Sequence, residues 1–227
     1  MNTDNCSIAG ETIDYGPCAM LGVYHPDTVY SSIDHGGRYA YGRQPQLMAW
    51  NMARLAETLI PLVDDNPDRA IERLGPMVEG ISDRFAASRK AMLARKIGLA
   101  SDEAALADAL LLQLQAGQLD MTRSFDALTR KAAGEDVGDE LMPLADWLPA
   151  WQQRRPNAGV MRRANPRVIP RNHHVEAVLA SAVAGDLAPI RRFLTVLQSP
   201  YEQGEDTANW QDAPPDADRG YRTFCGT

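Results

Sequence analysis

Asp4, Asn5 and Asp14 are the residues near the start of the chain whose types suit chemistry. A hard cation such as Mg2+ wants oxygen ligands in octahedral geometry and draws only one or two of them from protein, leaving phosphates and water to supply the rest. An amide oxygen from Asn5 and one carboxylate would meet that need. The same residues also allow a plain reading, with Asp4 and Asn5 as solvated polar groups and Asp14 as a turn former. The chemical reading requires an element that brings Asn5 and Asp14 together. Ser7-Ile8 and Thr12-Ile13 are β-prone pairs separated by Ala9-Gly10-Glu11, and this pattern predicts a tight hairpin ahead of Asp14-Tyr15-Gly16.

The rest of the chain must carry that hairpin. From Gln44 onward apolar residues recur at helical spacing: Met48, Met52, Leu55 and Leu59, then Val78, Ile81, Phe85 and Met92, then Leu106, Leu110 and Leu114, then Met121, Phe125 and Leu128. Ser101 suits an N-cap, Gly117 a stop, and Asp120 the cap of the next helix. Two more helices are predicted over Val175 to Ala184 and Leu187 to Leu197, parted by Gly185 and Asp186. The stretch from Pro17 to Gln44 has no period and reads as a long irregular segment. The acidic block from Tyr201 to Gly220 reads as a loop or loose tail. Three regions follow: 1–43 as the hairpin and its loop, 44–200 as a helical body, and 201–227 as an acidic flexible tail ending in Cys225.

Composition narrows the function. The 227 residues hold 23 Lys and Arg against 30 Asp and Glu, a net charge of −7, which argues against a nucleic-acid or anionic-membrane partner. Acids stand at positions 4, 11 and 14 while the first base is Arg38, so the start does not read as a targeting segment. The apolar run around Leu106 to Leu114 is broken by Asp108 and Gln113 and is far shorter than the roughly 20 residues of a membrane span. Three cysteines, Cys6, Cys18 and Cys225, suit a reducing compartment, and the expected location is cytoplasmic.

The wording of several segments goes further. Asn2-Thr3-Asp4-Asn5-Cys6-Ser7-Ile8-Ala9-Gly10 with Thr12-Ile13-Asp14-Tyr15-Gly16-Pro17 resembles the catalytic segment of the selenoprotein O (SelO) family of kinase-like protein adenylyltransferases. Gly37-Arg38-Tyr39, Arg43-Gln44-Pro45, Trp50-Asn51 and Arg54-Leu55-Ala56 are similar to the family's next segment. So are Asn165-Pro166-Arg167, Arg171-Asn172, Ser199-Pro200-Tyr201 and the terminal Thr223-Phe224-Cys225-Gly226-Thr227. The middle, roughly Asn66 to Leu144, matches only as helical filler.

The resemblance implies a mainly α fold with a short N-terminal β-hairpin, the C-terminal part of a protein-kinase-like (pseudokinase) fold. It implies transfer of AMP from ATP to Ser, Thr or Tyr hydroxyls of proteins. Carried over by position, Asn5 and Asp14 would ligate Mg2+, with Mn2+ as the substitute ion. Asp14 would also face the nucleotide, and Asp4 would accept the hydroxyl proton. Relatives carry a nucleotide-binding lobe ahead of this segment, with a glycine-rich loop, a Lys and its partner Glu. The chain is therefore expected to be the C-terminal half alone, explained by a start assigned too late or a truncated gene, and to be inactive by itself.

At the position of Cys225 the family has selenocysteine or cysteine, which implies a redox role; some relatives carry a second cysteine in the loop after Asp-Tyr-Gly, where this chain has Tyr30, and Cys18, nearer the motif, is the substitute for it. Otherwise Cys6 and Cys18 are small buried hydrophobes and Cys225 an idle thiol. Arg154, Arg155, Arg162, Arg163, Arg167 and Arg171 form a basic segment, read as a solvated face or as partners of the acidic tail. His25, His35, His173 and His174 lack the spacing of a zinc site. Trp147 and Trp151, at i and i+4, are expected in the core. Two other functions compete: a non-catalytic helical interaction module derived from the same family, and a small metal-dependent hydrolase using Asp4 and Asp14.

Overall fold

A computed structural model of the chain describes residues 2–12, 15–16, 18–214 and 218–224. Ten α-helices are found among them: α1 (Gln44–Val63), α2 (Pro67–Glu79), α3 (Ile81–Lys96), α4 (Ala104–Ala116), α5 (Met121–Ala132), α6 (Leu148–Gln153), α7 (Ala158–Ala164), α8 (Asn172–Val183), α9 (Ala188–Gln198) and α10 (Thr207–Gln211). Short 3-10 turns lie at Tyr41–Arg43, Ser101–Glu103 and Gly138–Leu144.

The predicted β-hairpin is not present. Among the described residues no strand forms, and the only extended pairings are isolated bridges, Val23 with Asp120 and Ser31 with Thr223. Local bonding explains the loss. The Ser7 hydroxyl accepts from the Ala9 N–H at 3.2 Å, and the Gly10 N–H donates to the Ser7 carbonyl at 3.4 Å, so the first β-prone pair curls into a turn. Ile8 is 82% exposed, so it brings no apolar face for a ladder to bury. The second pair runs into Ile13, which lies outside the described residues.

The chain divides into two compact units, the boundary falling inside α3. The first comprises the described residues within Met1–Cys18, Pro26–Arg89 and Arg222–Thr227. Its helices are locally well specified. Asn66 caps α2 by accepting from the Asp68 and Arg69 N–H groups, with Pro67 at the first helical position. Its core is thin: the fully buried apolar side chains described there are Ala40, Leu47 and Ala70.

The second unit, Ala19–His25 with Lys90–Tyr221, holds the main core. Leu110, Leu114, Phe125, Leu128, Trp151 and Met161 are all buried, and the rings of Trp147 and Trp151 stack with centroids 5.6 Å apart. Both indoles are satisfied, Trp147 donating to the Leu106 carbonyl at 2.9 Å and Trp151 to the Ile97 carbonyl at 2.8 Å. The expected core role of this pair is therefore met. Asp120 caps α5 as its position predicted, accepting from the Arg123 N–H at 2.9 Å, and Gly117 stands at the C-terminus of α4. Ser101 does not cap a helix by its side chain; it opens a 3-10 turn.

Three arginines of the basic segment pair with acids of the helical body, and Arg167 reaches the stretch after Tyr201, donating to Gln203 Oε1 at 2.8 Å. Arg154 pairs with Glu103 at 2.7 Å, Arg162 with Asp126 at 2.8 Å and Arg171 with Asp120 at 2.7 Å. Within the stretch read as a loose tail, α10 packs Trp210 on Phe193, ring centroids 4.5 Å apart, and edge-on to His174 at 5.0 Å. Among the described residues no helix is long and apolar enough to cross a membrane.

Candidate functional site

The N-terminal residues singled out for chemistry belong to the first unit. Asn2 to Asn5 form a closed turn. The Asn5 N–H donates to the Asn2 carbonyl at 3.2 Å, and the Asn5 side-chain oxygen accepts from the Asn2 N–H at 2.6 Å. Asn5 Oδ1 thus has one lone pair engaged and one available, as an amide oxygen can. Asp4 sits on the same turn with its side chain exposed.

Cys6 fastens this turn to α1. Its sulfur accepts from Asn51 Nδ2 at 3.1 Å, and Asn51 is only 3% exposed. The other amide atom of Asn51, Oδ1, is buried without a hydrogen-bond partner in the structure. Such a group carries a desolvation penalty unless something meets it. Next to Asn51, Trp50 receives two guanidinium groups, Arg38 at 4.9 Å and Arg54 at 5.5 Å from its ring centroid. Arg54 also pairs with Glu57 one turn on.

Asp34 orders the loop that delivers Arg38. Its carboxylate accepts from the N–H groups of Gly36 at 3.2 Å, Arg38 at 2.9 Å and Tyr39 at 2.7 Å. Partial burial pushes that carboxyl up, but the backbone donors outweigh it and hold the group below the usual range. The signal in the sequence was Asp34 followed at once by His35-Gly36-Gly37, the composition of an Asx turn, which the reading of an irregular segment passed over.

Asp14 and Cys225 lie outside the described residues, so the structure gives no distance from Asp14 to Asn5 or from Cys225 to Cys18. Cys18 is exposed and unbridged. Desolvation raises its thiol above the ordinary value and outweighs a lowering backbone hydrogen bond, so the site does not favour the thiolate. Among the described residues no group of three or more His, Cys, Asp and Glu could hold a metal ion.

The later family-like segments do structural work in the second unit. Asn165 is fully buried, its amide donating to the Lys96 carbonyl at 2.8 Å and to Thr129 Oγ1 at 2.9 Å. Asn172 pairs both ways with the backbone of Met20, accepting from its N–H at 2.8 Å and donating to its carbonyl at 3.1 Å. Arg171 holds Asp120. Lys96 donates to the Ala164 carbonyl at 3.1 Å and to Asn165 Oδ1 at 3.2 Å, and burial pulls its ammonium down to about 8.

Comparison with known proteins identifies the family of this chain. Residues 1–198 fit the family model described as protein adenylyltransferase SelO. A protein nucleotidyltransferase YdiU from Pseudoalteromonas translucida is 46% identical over 233 residues, covering 100% of this chain and 49% of that protein. Proteins of the same name from Cereibacter sphaeroides and Geobacillus kaustophilus are 46% and 44% identical, again over 100% of this chain and 49% of each relative. The chain thus spans about half the length of the curated relatives it matches, and it belongs to the SelO family.

Proposed function

We propose that this chain supplies the metal-binding and proton-accepting residues of a protein adenylyltransferase. The observation that carries this reading is the family match from residue 1 onward, through a turn that exposes Asp4 and Asn5 and is tied by Cys6 to buried Asn51. In the reaction the hydroxyl oxygen of a Ser, Thr or Tyr on an acceptor protein attacks the α-phosphorus of ATP. The bond from that phosphorus to its bridging oxygen breaks, pyrophosphate leaves, and AMP stays on the acceptor. Asp4 takes the hydroxyl proton.

The donor set suits a hard cation. Asn5 offers a carbonyl-type oxygen with a lone pair to spare, and a carboxylate from Asp14 completes a pair of the kind that Mg2+ accepts beside phosphate and water. Mg2+, when bound there, supplies neutralisation of phosphate charge. The turn restrains Asn5: the Asn2 N–H fixes its side-chain oxygen, and Cys6 fixes the chain immediately after it. Mn2+ has the same taste for oxygen and serves as the substitute ion. The glycine-rich cradle for ATP is assigned to the half of the family's length outside this match, so the chain alone is expected to be inactive.

The test is labelled-AMP incorporation. This chain, supplemented with the unmatched half of the Pseudoalteromonas relative, is given Mg2+ and ATP labelled at the α-phosphate, with acceptor protein present. Label on protein that disappears in Asp14→Ala and falls steeply in Asp4→Asn supports the reading. Label delivered only from the γ-phosphate, or transfer indifferent to Asp4, Asn5 and Asp14, overturns it.

A further inference from the structure

A cavity of about 190 Å3 opens in the second unit, between α5, the 3-10 turn at Gly138–Leu144 and α10. Its charged and polar lining is Arg123, Asp126 and Arg130 on α5, Glu140 in the turn, Gln211 on α10 and Asp212 just after that helix. Both helical walls are anchored. The α5 helix sets Phe125 and Leu128 into the main core, and α10 is held by Trp210 stacked on Phe193. Pockets that take drug-sized ligands run to roughly 300–1,000 Å3, so an occupant here is small.

Four charges at and behind the floor of this cavity neutralise one another. Arg162 Nη1 meets Asp126 Oδ1 at 2.8 Å, Arg130 Nε meets Asp126 Oδ2 at 3.1 Å, and Arg130 Nη2 meets Glu140 Oε2 at 2.6 Å. Two cations and two anions alternate, so the network favours an ion of neither sign. The Asp126 side chain is 5% exposed, and its charge-assisted bonds fix the guanidinium of Arg130 in place. Arg130 Nη1 is left without a hydrogen-bond partner among the described residues.

Arg123 and Asp212 remain. Among the described residues neither side chain makes a hydrogen bond or an ion pair, to the other or to any third group. A simple ion of either sign would be attracted by one and repelled by the other, whereas a molecule that carries both charges on a short spacer satisfies both. Gln211 reinforces the acidic end: its Nε2 donates to the Arg167 carbonyl at 3.2 Å, which leaves Oε1 as an acceptor on the residue before Asp212. Arg130 reinforces the basic end, and a guanidinium fork suits a carboxylate.

We propose that this cavity binds a small zwitterion of the amino-acid class, its carboxylate on Arg123 and Arg130 Nη1 and its ammonium group on the Asp212 carboxylate and Gln211 Oε1. The inference stands on groups of the second unit alone and is independent of which group the family transfers.

The experiment titrates the full chain with glycine, β-alanine, γ-aminobutyrate and δ-aminovalerate, whose two charges stand on successively longer spacers, and follows binding by saturation-transfer NMR. Propionate and propylamine, with one charge each, are the controls. We expect at least one spacer length to bind at least about tenfold more tightly than either control. Arg123→Gln and Asp212→Asn should each cut that affinity at least about tenfold, since each removes a charge-assisted hydrogen bond. Both side chains are exposed, so helical circular dichroism should not change. Arg191→Gln, which removes an exposed charge on α9 of the same unit, should leave binding intact. Three results overturn the proposal: no member of the series binds, a singly charged control binds as tightly as the best zwitterion, or binding is indifferent to the Arg123 and Asp212 substitutions.

Discussion

Arg171 grips Asp120 through two hydrogen bonds, 2.7 and 3.1 Å long, across 51 positions of sequence. Arg171 is 3% exposed. The Asp120 carboxylate meanwhile caps α5, and a side chain at Gly22 would come within 3.5 Å of it. One carboxylate thus starts a helix and receives a buried guanidinium. Arg171→Met removes the cation and leaves the acid without its buried partner, which typically costs about 3–5 kcal/mol. Urea unfolding should show that loss. In Arg171→Met/Asp120→Ser the cap survives without the charge, and stability should recover in part; a double variant no better than the single would show that the pair is not the cause.

Much of this arrangement was legible in the sequence. Asp120 could be assigned as a cap because it precedes Met121, Phe125 and Leu128 at helical spacing, and local rules suffice for that. Its bond to Arg171 was not legible, since nothing local relates the two positions. The basic segment shows the same limit. Its nearest plentiful acids in sequence are in the tail, yet Arg154 at the end of α6, Arg162 on α7 and Arg171 at the start of α8 pair with Glu103, Asp126 and Asp120. The hairpin failed for the opposite reason. Ser7 and Gly10 satisfy each other's neighbourhood locally, so two-residue β-prone pairs had nothing to gain from a ladder. At the candidate site, Asp4, Asn5 and Cys6 were readable by type, whereas Asn51 as the anchor of Cys6 required the fold.

Gly98 ends the turn after α3 with φ of +73°, and its carbonyl accepts from the Asn157 N–H at 2.9 Å. A Cβ there would meet the Asn157 nitrogen at 2.8 Å and the Met161 Cγ at 2.8 Å. Backbone and core object together, so Gly98→Ala should destabilise the chain by about 1–3 kcal/mol. Thermal unfolding is the measure, with Gly134→Ala as comparison. That glycine has φ of +84° but open space around it, and should cost less.

His174 couples α10 to acidity. Its ring faces Trp210 at 5.0 Å and Phe193 at 6.1 Å, His173 and Arg171 add positive charge nearby, and Asp212 opposes them. Its Nε2 is buried without a hydrogen-bond partner. Burial first, then the neighbouring cations, pull the imidazole down to about 4. With the folded value below the ordinary 6.5, the unfolded chain binds more protons between those limits. The stability tied to neutral His174 is therefore complete above about pH 6.5 and is lost as pH falls toward 4. Solvent screening keeps the slope under the one-proton limit of about 1.4 kcal/mol per pH unit. His174→Gln should flatten the decline between pH 6.5 and 5 in urea titrations, and an unchanged slope would show that other groups carry it.

In the assembled system of two halves, the three site residues should separate by readout. Asp14→Ala and Asn5→Ala should raise the Mg2+ concentration needed for half-maximal transfer, the effect of Asp14 being larger because a charge is lost as well as a ligand. Asp4→Asn should leave that concentration unchanged and lower turnover by about 100-fold or more, the size of effect general-base removal brings. A shift in Mg2+ requirement for Asp4→Asn, equal to that for Asn5→Ala, would reassign Asp4 from proton acceptor to ligand.

The final expectation concerns Cys18. Its thiol is exposed yet partly desolvated, and desolvation raises its pKa, so little thiolate is present near neutral pH. If Cys18 and Cys225 form a redox pair, Cys18 standing in for the cysteine that some relatives carry where this chain has Tyr30, Cys18 is the poorer attacking group, since exchange begins from a thiolate. Oxidation should then start at Cys225, with Cys18 closing the bridge more quickly as pH rises. In a Cys6→Ser/Cys225→Ser variant the rate of iodoacetamide labelling at Cys18 should climb with pH to a midpoint above that of a free cysteine peptide measured alongside. A midpoint at or below the peptide's would mean that Cys18 is activated, and it would then be the residue that initiates the bridge. Peptide mapping of the unaltered chain under mild oxidant gives the second reading: a Cys18 to Cys225 pair that accumulates faster at pH 9 than at pH 7 agrees with this order of events. Thiols that stay free at both pH values would remove the pairing.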